Sequence, residues 1–271
     1  MAKIAVIGIC GNSVFLTVDK FHEKGQTLAA ESCFSEIGGK GINQAIAAAR
    51  MGAEVSFLAA VGDEVEACRI AGEQENISMH LAVKPGEKTT FAFILTDKAG
   101  ENRVTVYRGA ELTQDDVLAF ERQIAESDIL LLQQEVPPQV NAKAIEIAHK
   151  YGVRVILNPA PVGETACPKV WLVTPNAHEK AGLGDQEYEN CITTLGEKGC
   201  SINDKTFVKA IPVQAVDTTG AGDTFNGVLA VCLAEGMDME TACRYAVAAS
   251  GISVTRKGVL DAIPYRKEIV L

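Results

Sequence analysis

Short apolar runs alternate with helical patterns along most of this chain, and no other feature restricts its fold as strongly. Five apolar runs, each of strand length, lie at 3–8, 55–61, 128–134, 153–158 and 170–176. In the intervening segment 40–51, apolar residues recur every three or four positions, as on one face of a helix. Parallel strands that are joined by helices are covered on both faces, so they stay apolar throughout. The sequence therefore predicts an α/β fold with a parallel-rich central sheet and helices on both faces.

Two segments, at about 12–36 and 88–108, interrupt this alternation. They are more polar, and the turn residues Gly100 and Asn102 divide the second segment into two strand-like halves, as in a hairpin. We expect these segments to form a small extra sheet that projects from the main body. A length of 271 residues otherwise fits one large domain, 1–271.

The composition argues against several classes of function. The formal net charge is −10 and the pI is near 5.0, whereas non-specific binding of nucleic acid needs a basic surface. No apolar stretch approaches the roughly 18 residues of a membrane span, and the N-terminus lacks the features of a signal peptide. The eight cysteines contain no C-x-x-C pair, which favours reduced thiols over disulfides or structural zinc. We therefore expect a cytoplasmic protein without nucleic-acid or membrane partners.

Polar residues follow the C-terminal ends of the predicted strands. Those just beyond an apolar run or at its end are Asn12, Asp63, Glu135, Asn158 and Asn176. In a parallel sheet these ends share one edge, where open α/β sheets bind their ligands. Any one of these residues is explained equally well as a turn former, but the set as a whole predicts a binding site at this edge.

A glycine-rich stretch, DTTGAGDTFNG at 217–227, leads into an apolar helical pattern. Gly220, Ala221 and Gly222 leave the backbone amides uncovered, and the following helix points its positive end at whatever binds there. This arrangement suits a phosphate in transfer, and the carboxylate of Asp223 suits a general base that activates a hydroxyl. The alternative is a plain glycine-rich loop in which Asp223 caps the helix.

A second glycine-rich turn, SEIGGKGINQA at 35–45, also precedes a helical pattern. Its bare backbone permits close approach of a ligand, to which Lys40 and Asn43 offer polar groups. It is not a Walker A loop, because it lacks Gly-Lys-Ser/Thr. It is not a full dinucleotide fingerprint either, because Gln44 stands in place of the third glycine.

Asn176 and Glu179, in TPNAHE, are three residues apart at the start of a predicted helix. On one helix face they could hold a hydrated Mg²⁺, which keeps several waters and takes few protein ligands. The spacing by itself is explained more simply as an N-terminal cap with an acid in the first turn.

Taken together, these motifs resemble those of the PfkB (ribokinase-like) carbohydrate kinases. The matching stretches are GGKGINQA, NPAP at 158–161, TPNAHE, TLGEKG at 194–199, DTTGAGDTFNG and VTRKG at 254–258. They occur in the family's order along essentially the whole chain, and they are most similar to those of ribokinases. The resemblance implies an enzyme that transfers the γ-phosphoryl group of ATP to a sugar hydroxyl. It also implies that 12–36 and 88–108 form a lid, and it leaves open a homodimer through that lid.

The resemblance assigns roles to individual residues. It makes Asp223 the base and the amides of Gly220, Ala221 and Gly222 an anion hole for the transferred group. The implied sugar contacts are Gly39, Lys40, Gly41, Asn43 and Glu135. The implied nucleotide contacts are Asn176, Thr194, Gly196, Gly199, Val247 and Ser250. Asn176 and Glu179 would hold Mg²⁺ through water, and the implied K⁺ site consists of Asp217, Thr219, Val254, Lys257 and Gly258.

The chain departs from this pattern in its first loop. Ribokinases carry an N-x-D motif after the first strand, and Gly11 and Ser13 stand at those two places here. Asn12 and Ser13 are therefore the candidate sugar contacts on this loop. A pocket without the acid is expected to bind ribose more weakly, because a hydrogen-bonding partner of the sugar is missing.

Two further departures lie on the nucleotide side. Ala262 stands where ribokinases supply a hydroxyl ligand to K⁺, and the stretch between Asn176 and Thr194 is short. We therefore expect weaker K⁺ dependence and altered nucleotide affinity. Three functions stay open: a sugar kinase, a nucleoside or small-polyol kinase of the same family, and a non-catalytic metabolite-binding relative. The glycine-rich loop with Asp223 favours a kinase, because a binding protein needs no base.

Overall fold

Thirteen strands and eight α-helices make up the described part of this computed structural model, which covers residues 1–162, 170–184 and 188–271. The strands are β1 (Lys3–Ile7), β2 (Gly11–Thr17), β3 (Ser32–Gly38), β4 (Glu54–Val61), β5 (Ser78–Val83), β6 (Phe91–Thr96), β7 (Asn102–Tyr107), β8 (Ile129–Gln133), β9 (Arg154–Asn158), β10 (Leu172–Val173), β11 (Ile192–Thr194), β12 (Gly199–Ile202) and β13 (Thr206–Lys209). The helices are α1 (Lys40–Arg50), α2 (Glu66–Gln74), α3 (Gln114–Ala119), α4 (Glu121–Ala125), α5 (Pro138–Tyr151), α6 (Ala177–Gly182), α7 (Ala221–Ala234) and α8 (Met239–Ser253).

The central sheet contains six strands in the order β10-β9-β8-β1-β4-β5, and each neighbouring pair is parallel. β1 lies near the middle, where Val6 pairs with Phe57 of β4 and with Leu131 of β8. Because the strands are parallel, their C-terminal ends meet at one edge. The predicted α/β fold with a parallel central sheet is confirmed.

Successive residues of the central strands pack into different layers. Val6 belongs to a buried cluster that includes α1, α7 and α8, whereas Ile7 belongs to a second cluster with α3, α4 and α5. Fully burying one such side chain contributes about 1.5–3 kcal/mol, so helices on both faces stabilise the sheet. This arrangement confirms the prediction that apolar runs lie between two helical layers.

A second sheet, in the order β3-β2-β6-β7, forms the predicted lid. β6 and β7 make the expected hairpin, but β6 also pairs with β2 in parallel. The lid contacts the main body through a small apolar cluster of Phe15, Ile94 and Val259. Phe15 also stacks on Phe34, with 4.6 Å between the ring centroids. The two segments that interrupt the strand–helix alternation therefore come together in one sheet.

Three parts of the main body differ from the sequence-based expectations. The edge strand β5 was not predicted, because its residues, SMHLAV, are only partly buried and form no continuous apolar run. The run at 170–176 forms only the short strand β10, because Pro175 has no amide hydrogen to continue the ladder and Asn176 already caps α6. A third sheet, β11-β12-β13, is antiparallel and does not follow from the strand–helix alternation.

The state of the cysteines and the length of the helices bear on two further expectations from the sequence. The seven cysteines in the described residues are free, and Cys167 lies outside those residues. None of the described helices is both long and apolar enough to cross a membrane.

Candidate active site

Asp223 lies in the first turn of α7, with its carboxylate against the first turn of α1. The residue is buried, with 6% of its surface exposed. Its Oδ2 accepts a hydrogen bond of 3.0 Å from Asn43 Nδ2, and its Oδ1 accepts one of 3.0 Å from Gln44 Nε2. Both donors are uncharged amides, so they orient the carboxylate while leaving lone pairs for a further donor. The two glycine-rich motifs of the sequence therefore meet at this carboxylate.

Gln44 connects Asp223 to the ends of two central strands. Its Nε2 also donates to Asn158 Oδ1 at 3.3 Å, at the end of β9, and its Oε1 accepts from Gln133 Nε2 at 2.7 Å, at the end of β8. Buried polar groups are generally hydrogen-bonded in folded proteins, and this network holds Asp223 in one position. Sequence analysis noted Asn158 as a strand-end residue but assigned no role to Gln44 or Gln133.

The loop before α7 has the geometry of an anion-binding site. Gly220 is the N-cap of α7 with φ = +74°, a left-handed conformation that favours glycine, and no side chain among the described residues caps the helix. The amide of Ala221 donates to Thr218 O at 3.3 Å, whereas open space lies beside Gly222, where a Cβ would meet no atom within 4 Å. The positive end of α7 is therefore accessible to an anion. The alternative in which Asp223 caps this helix is wrong, because Gly220 occupies the cap position.

The glycines of the GGKG turn allow α1 to begin directly against the end of β1. Gly39 has φ = +116°, and a Cβ on it would lie 2.6 Å from Ile9 O. A Cβ on Gly41 would lie 2.7 Å from Gly8 Cα. These glycines thus allow α1 to pack closely against the end of β1. That packing brings Asn43 into contact with Asp223.

Lys40 supplies positive charge to the site. The charge of Asp223 is the main cause that raises the pKa of the Lys40 ammonium group, and the charges of Glu135 and Glu179 add to it. The backbone amide of Lys40 donates to Glu135 Oε2 at 2.8 Å. Burial raises the pKa of Glu135, while the positive charge of Lys40 opposes that shift. The structure therefore brings these four charged residues to the same edge of the sheet.

Asn176 and Glu179 form the N-terminal cap that the simpler interpretation predicts. Glu179 N donates to Asn176 Oδ1 and Asn176 N donates to Glu179 Oε2, both at 2.8 Å. Burial raises the pKa of Glu179, and the charges of Lys40 and Asp223 also act on it. Within the described residues, no three His, Cys, Asp or Glu side chains cluster tightly enough to bind a metal directly. The pair nevertheless borders the same site as Asp223.

The first loop places Ser13 on the inner face of the lid, opposite Ala92 of β6, whereas Asn12 lies opposite Phe91 on the outer face. Gly11 packs so closely that a Cβ on it would collide with Thr90 O, so a larger residue there needs a different backbone. The Oγ of Ser13 lies next to Gly38, 2.6 Å from where a Cβ on that glycine would stand. Asn12 is exposed, and β2 contains no acidic residue.

The strip predicted to line the nucleotide begins at Thr194. Its amide donates to Pro175 O at 2.9 Å, which ties the end of β11 to the segment that precedes α6. Gly196 has φ = +56° and open space around it, whereas Gly199 has φ = +107° and packs tightly against the backbone of β13. Gly196 is therefore the part of this strip that a ligand can approach closely.

Two predicted nucleotide contacts, Val247 and Ser250, lie on α8. Val247 is buried in the core. Ser250 Oγ donates to Ala221 O at 3.0 Å and to Ala246 O at 2.9 Å. Ser250 therefore ties α8 to the first turn of α7 and supports the anion-binding loop from behind.

Four of the predicted K⁺ residues lie in one group of loops. Asp217 accepts hydrogen bonds from Thr219 N at 2.9 Å and from Gly258 N at 3.3 Å. The carbonyl oxygen of Val254 accepts from the amide of Asp217 at 3.2 Å.

Lys257 and Ala262, which lie near these loops, offer no side-chain ligand to a cation. The side chain of Lys257 is exposed. Ala262 is buried and has no hydroxyl to offer. The loops around Asp217 therefore present one carboxylate and several backbone oxygens.

Glu36, which sequence analysis missed, joins the lid to these loops. Its Oε1 accepts from Val259 N at 2.9 Å, and its Oε2 accepts from Leu260 N at 3.3 Å. Burial is the main cause that raises the pKa of Glu36, and the charges of Asp261 and Asp217 add to it. No local sequence pattern indicates this contact, because its partners lie more than 220 residues away along the chain.

A cavity opens at the C-terminal edge of the sheet, beside Glu135. Ile9 and Ala60 line it at the ends of β1 and β4, and Arg108 lines it just beyond β7. About 320 Å³ of space, the part open to solvent included, lies between these residues.

The family model for pfkB family carbohydrate kinases matches residues 1–266. The chain belongs to this family. A ribokinase of Haemophilus influenzae is 36% identical over 294 aligned residues, which cover 98% of this chain and 96% of that protein. This match confirms the family resemblance of the sequence motifs.

Solved structures of the pfkB family share the fold along nearly the whole chain. The ribokinase of Thermotoga maritima has a TM-score of 0.86 and 32% identity, over 99% of this chain and 98% of that one. The Arabidopsis thaliana ribokinase complexed with ribose and ATP has a TM-score of 0.85 and 26% identity, with the same coverage of both chains. The ribokinase-like architecture with its lid is therefore confirmed.

Proposed function

We propose that this carbohydrate kinase transfers the γ-phosphoryl group of ATP to a hydroxyl group of a small sugar, with Asp223 as the general base. The observation that carries the proposal is the position of Asp223. Its carboxylate is buried, held by two neutral amides, and lies beside a helix N-terminus that no side chain of the described residues caps. The similar Arabidopsis ribokinase was solved with ribose and ATP, which supports ATP as the phosphoryl donor.

The reaction follows from the charges around this carboxylate. As the acceptor oxygen bonds to the γ-phosphorus, its proton passes to Asp223, and the bond from that phosphorus to the bridging oxygen of ADP breaks. The amides of Gly220 and Gly222 and the positive end of α7 stabilise the charge on the transferred group, and the amide of Ala221, which already donates to Thr218 O at 3.3 Å, takes part only as a shared donor. Lys40 stays protonated at neutral pH, because its pKa is raised. Such positioning and electrostatic stabilisation account for most catalysis of phosphoryl transfer.

Asn43 and Glu135 are proposed to hold the sugar, together with Ser13 on the inner face of the lid; Asn12 shares the outer face with Phe91 and is not proposed as a contact. Asn43 Oδ1 is a buried acceptor without a hydrogen-bond partner among the described residues. Buried acceptors of this kind are rare in native proteins and call for an explanation. A sugar hydroxyl beside Asp223 would satisfy it.

Asn176 and Glu179 are proposed to hold Mg²⁺ through water. The capping box uses one carboxylate oxygen of Glu179, and the raised pKa of this group reflects a buried charge that a cation would stabilise. Mg²⁺ bound with ATP supplies neutralisation of the phosphate charge.

K⁺ is proposed to bind at the loops around Asp217, with Thr219, Gly258 and the carbonyl oxygen of Val254. The hydrogen bonds among these groups already fix their positions. We expect K⁺ to activate only modestly, because Ala262 offers no hydroxyl ligand.

A homodimer through the outer face of the lid is also proposed. Phe93 and Tyr107 are 42% and 50% exposed on that face, and Tyr107 stacks on Phe91 with 4.9 Å between ring centroids. Exposed aromatic side chains that lie together are typical of an interaction site, and the family resemblance, which implies a lid that pairs between subunits, makes a second copy the expected partner.

The test of the proposed function is ADP release from Mg-ATP with a panel of free sugars, sugar phosphates, sugar acids and nucleosides. Turnover on a sugar or sugar derivative is expected. Turnover confined to nucleosides would move the function to a nucleoside kinase. Ligand binding without any turnover would show a non-catalytic relative.

A further inference from the structure

We propose that the acceptor of this kinase is an anionic sugar, bearing a phosphate ester or a carboxylate, and that Arg108 binds this anionic group. The proposal rests on the sugar-kinase function above and specifies its substrate. It makes Arg108 a specificity-determining residue at the end of the site away from the transferred phosphoryl group.

Arg108 lies at the wall of the cavity that also contains Glu135. Alternate residues of a strand share a face, so Arg108 continues the face of Val104 and Val106 just beyond the end of β7. In the β6–β7 pairing, Val106 lies opposite Ala92, which packs against the Val259 cluster. This is the inner face of the lid, so the Arg108 side chain is on the side that covers the site.

The backbone at Arg108 is held firmly. The amide of Gly109 donates to Thr90 Oγ1 at 3.1 Å, and the amide of Ala110 donates to Lys88 O at 2.8 Å. A Cβ on Gly109 would also collide with the backbone of Lys88. The guanidinium therefore extends from a fixed point at the base of the lid.

Arg108 is the unusual member of the nine arginines, all of which lie in the described residues. Six arginines pair with carboxylates, and two stack on aromatic rings: Arg50, Arg69, Arg122, Arg244, Arg256 and Arg266, and then Arg103 and Arg154. The Arg108 guanidinium alone makes no ion pair, hydrogen bond or ring contact with any described residue. Arg108 is exposed to solvent where it lines the cavity. A planar guanidinium fork fits phosphate and carboxylate groups in bidentate fashion, so its donors are accessible to an anionic ligand.

The charges around the cavity agree with this assignment. Strand β2, Gly11–Thr17, belongs to the first lid segment and faces the site. It carries no acidic side chain that would pair with the Arg108 guanidinium. The charge of Arg108 lowers the pKa of Glu135, although burial raises it more. Glu111, the other acid at the cavity, is exposed like Arg108 itself, and the two form no ion pair. Arg108 therefore acts on the site through space while its donors stay free for a ligand.

Glu135 is influenced electrostatically by both Asp223 and Arg108. It borders the cavity through its side chain and contacts the GGKG turn through its bond to Lys40 N. A sugar that hydrogen-bonds to Glu135 would have its reactive hydroxyl toward Asp223 and its far end toward Arg108. This geometry orients an anionic sugar in one direction and so selects which hydroxyl is phosphorylated.

The experiment measures kcat/KM for ADP release with three matched groups of acceptors: neutral pentoses and hexoses, their monophosphates, and the corresponding sugar acids. An anionic group of acceptors is expected to give the highest kcat/KM, and comparing the second and third groups distinguishes phosphate from carboxylate. Arg108→Ala should lower kcat/KM for that acceptor by about 10- to 100-fold, mainly through KM. Arg108→Lys should restore part of the loss.

Arg103→Ala is the matched control, because Arg103 lies on β7, the strand that leads to Arg108, but stacks on Phe21 on the other face of the lid. Its kinetics should equal those of the unchanged protein. A preference for neutral sugars, or equal kinetics for Arg108→Ala and Arg103→Ala, would overturn the proposal while leaving the kinase function intact.

A thermal shift with the same acceptors separates this proposal from the catalytic one. If no acceptor is phosphorylated, an Arg108-dependent shift with anionic sugars alone would support anion binding and refute the kinase function. Absence of both turnover and an Arg108-dependent shift would refute both proposals.

Discussion

Gln44 donates a hydrogen bond of 3.0 Å to Asp223, although 179 residues separate them along the chain. The same side chain accepts from Gln133 at 2.7 Å. One uncharged amide thus fixes the carboxylate relative to the central sheet. Its neutrality matters as much as its position, because a charged neighbour would change the proton affinity of Asp223.

Gln44→Glu should therefore damage both catalysis and folding. Gln44 is fully buried, and a second carboxylate in its place removes the donor to Asp223 and repels the charge on that residue. We expect a loss of about 10- to 100-fold in kcat at neutral pH and an acid limb of the pH–rate profile that moves to higher pH. The exposed Gln139→Glu in α5 is the control. An unshifted acid limb in Gln44→Glu would contradict the assignment of Asp223 as base.

Asp223→Asn should abolish turnover while ATP still binds. Removal of a general base costs about 10²- to 10⁴-fold in kcat, and ADP release together with calorimetric titration of ATP measures the two effects. The new amide group would also face the donors of Asn43 and Gln44, which should destabilise the fold by about 1–3 kcal/mol. Asp115→Asn, at an exposed site in α3, should change neither quantity. Near-normal turnover of Asp223→Asn would exclude the proposed mechanism.

Glu36 gives a test that depends on pH. The raised pKa means that the folded chain keeps the Glu36 proton to higher pH than the unfolded chain does. The contribution of Glu36 to the free energy of unfolding should therefore fall as the pH rises from about its ordinary value of 4.5 to the raised value, and then level off. In Glu36→Gln this decline should disappear, as measured by denaturant unfolding between about pH 4.5 and 7. The exposed Glu101→Gln should keep the decline.

Gly227 and Gly251 provide a matched pair of helix glycines. A Cβ on Gly227 would lie 2.5 Å from Ala47 Cβ and from Gln44 O, where α7 crosses α1, whereas a Cβ on Gly251 would meet nothing within 4 Å. Gly227→Ala should lower the free energy of unfolding by about 1–3 kcal/mol through overpacking. Gly251→Ala should raise it by up to about 1 kcal/mol, because alanine favours a helix. Equal effects would show that the helices are not in contact at Gly227.

The lid gives a prediction about association. Phe93→Glu places a charge on the apolar outer face of β6 and should convert a dimer to a monomer, which sedimentation equilibrium measures. Phe207→Glu is the control, because Phe207 is 54% exposed on β13, outside the lid. A Phe93→Glu protein with unchanged mass in solution would place any dimer contact elsewhere.

The sequence was sufficient to predict most of the central sheet because its signals are local, although the edge strand β5 was not among the predicted runs. The apolar runs that become β1, β4, β8 and β9 lie between helical patterns, and that order alone predicts parallel pairing. The small residues around Asp223 likewise indicated an anion site within a single stretch of eleven residues, 217–227.

Contacts between distant segments could not be predicted in this way. Nothing near Glu36 indicates that its partners are the amides of Val259 and Leu260, and nothing near Gln44 indicates a bond to Asp223. The parallel pairing of β2 with β6 is hidden for the same reason, because a turn signal predicts only the hairpin it closes. Such contacts depend on the whole fold rather than on local spacing.

Val259 touches both the lid and the loop before α7. It packs with Phe15 and Ile94, and its Cγ1 lies 2.5 Å from where a Cβ on Gly220 would stand. A lid that swung outward would uncover this valine and loosen the glycine beneath it. We therefore expect the anion-binding loop before α7 to be rigid only when the lid is closed over an acceptor. Without an acceptor the loop would then be loose, which would limit wasteful hydrolysis of ATP by water.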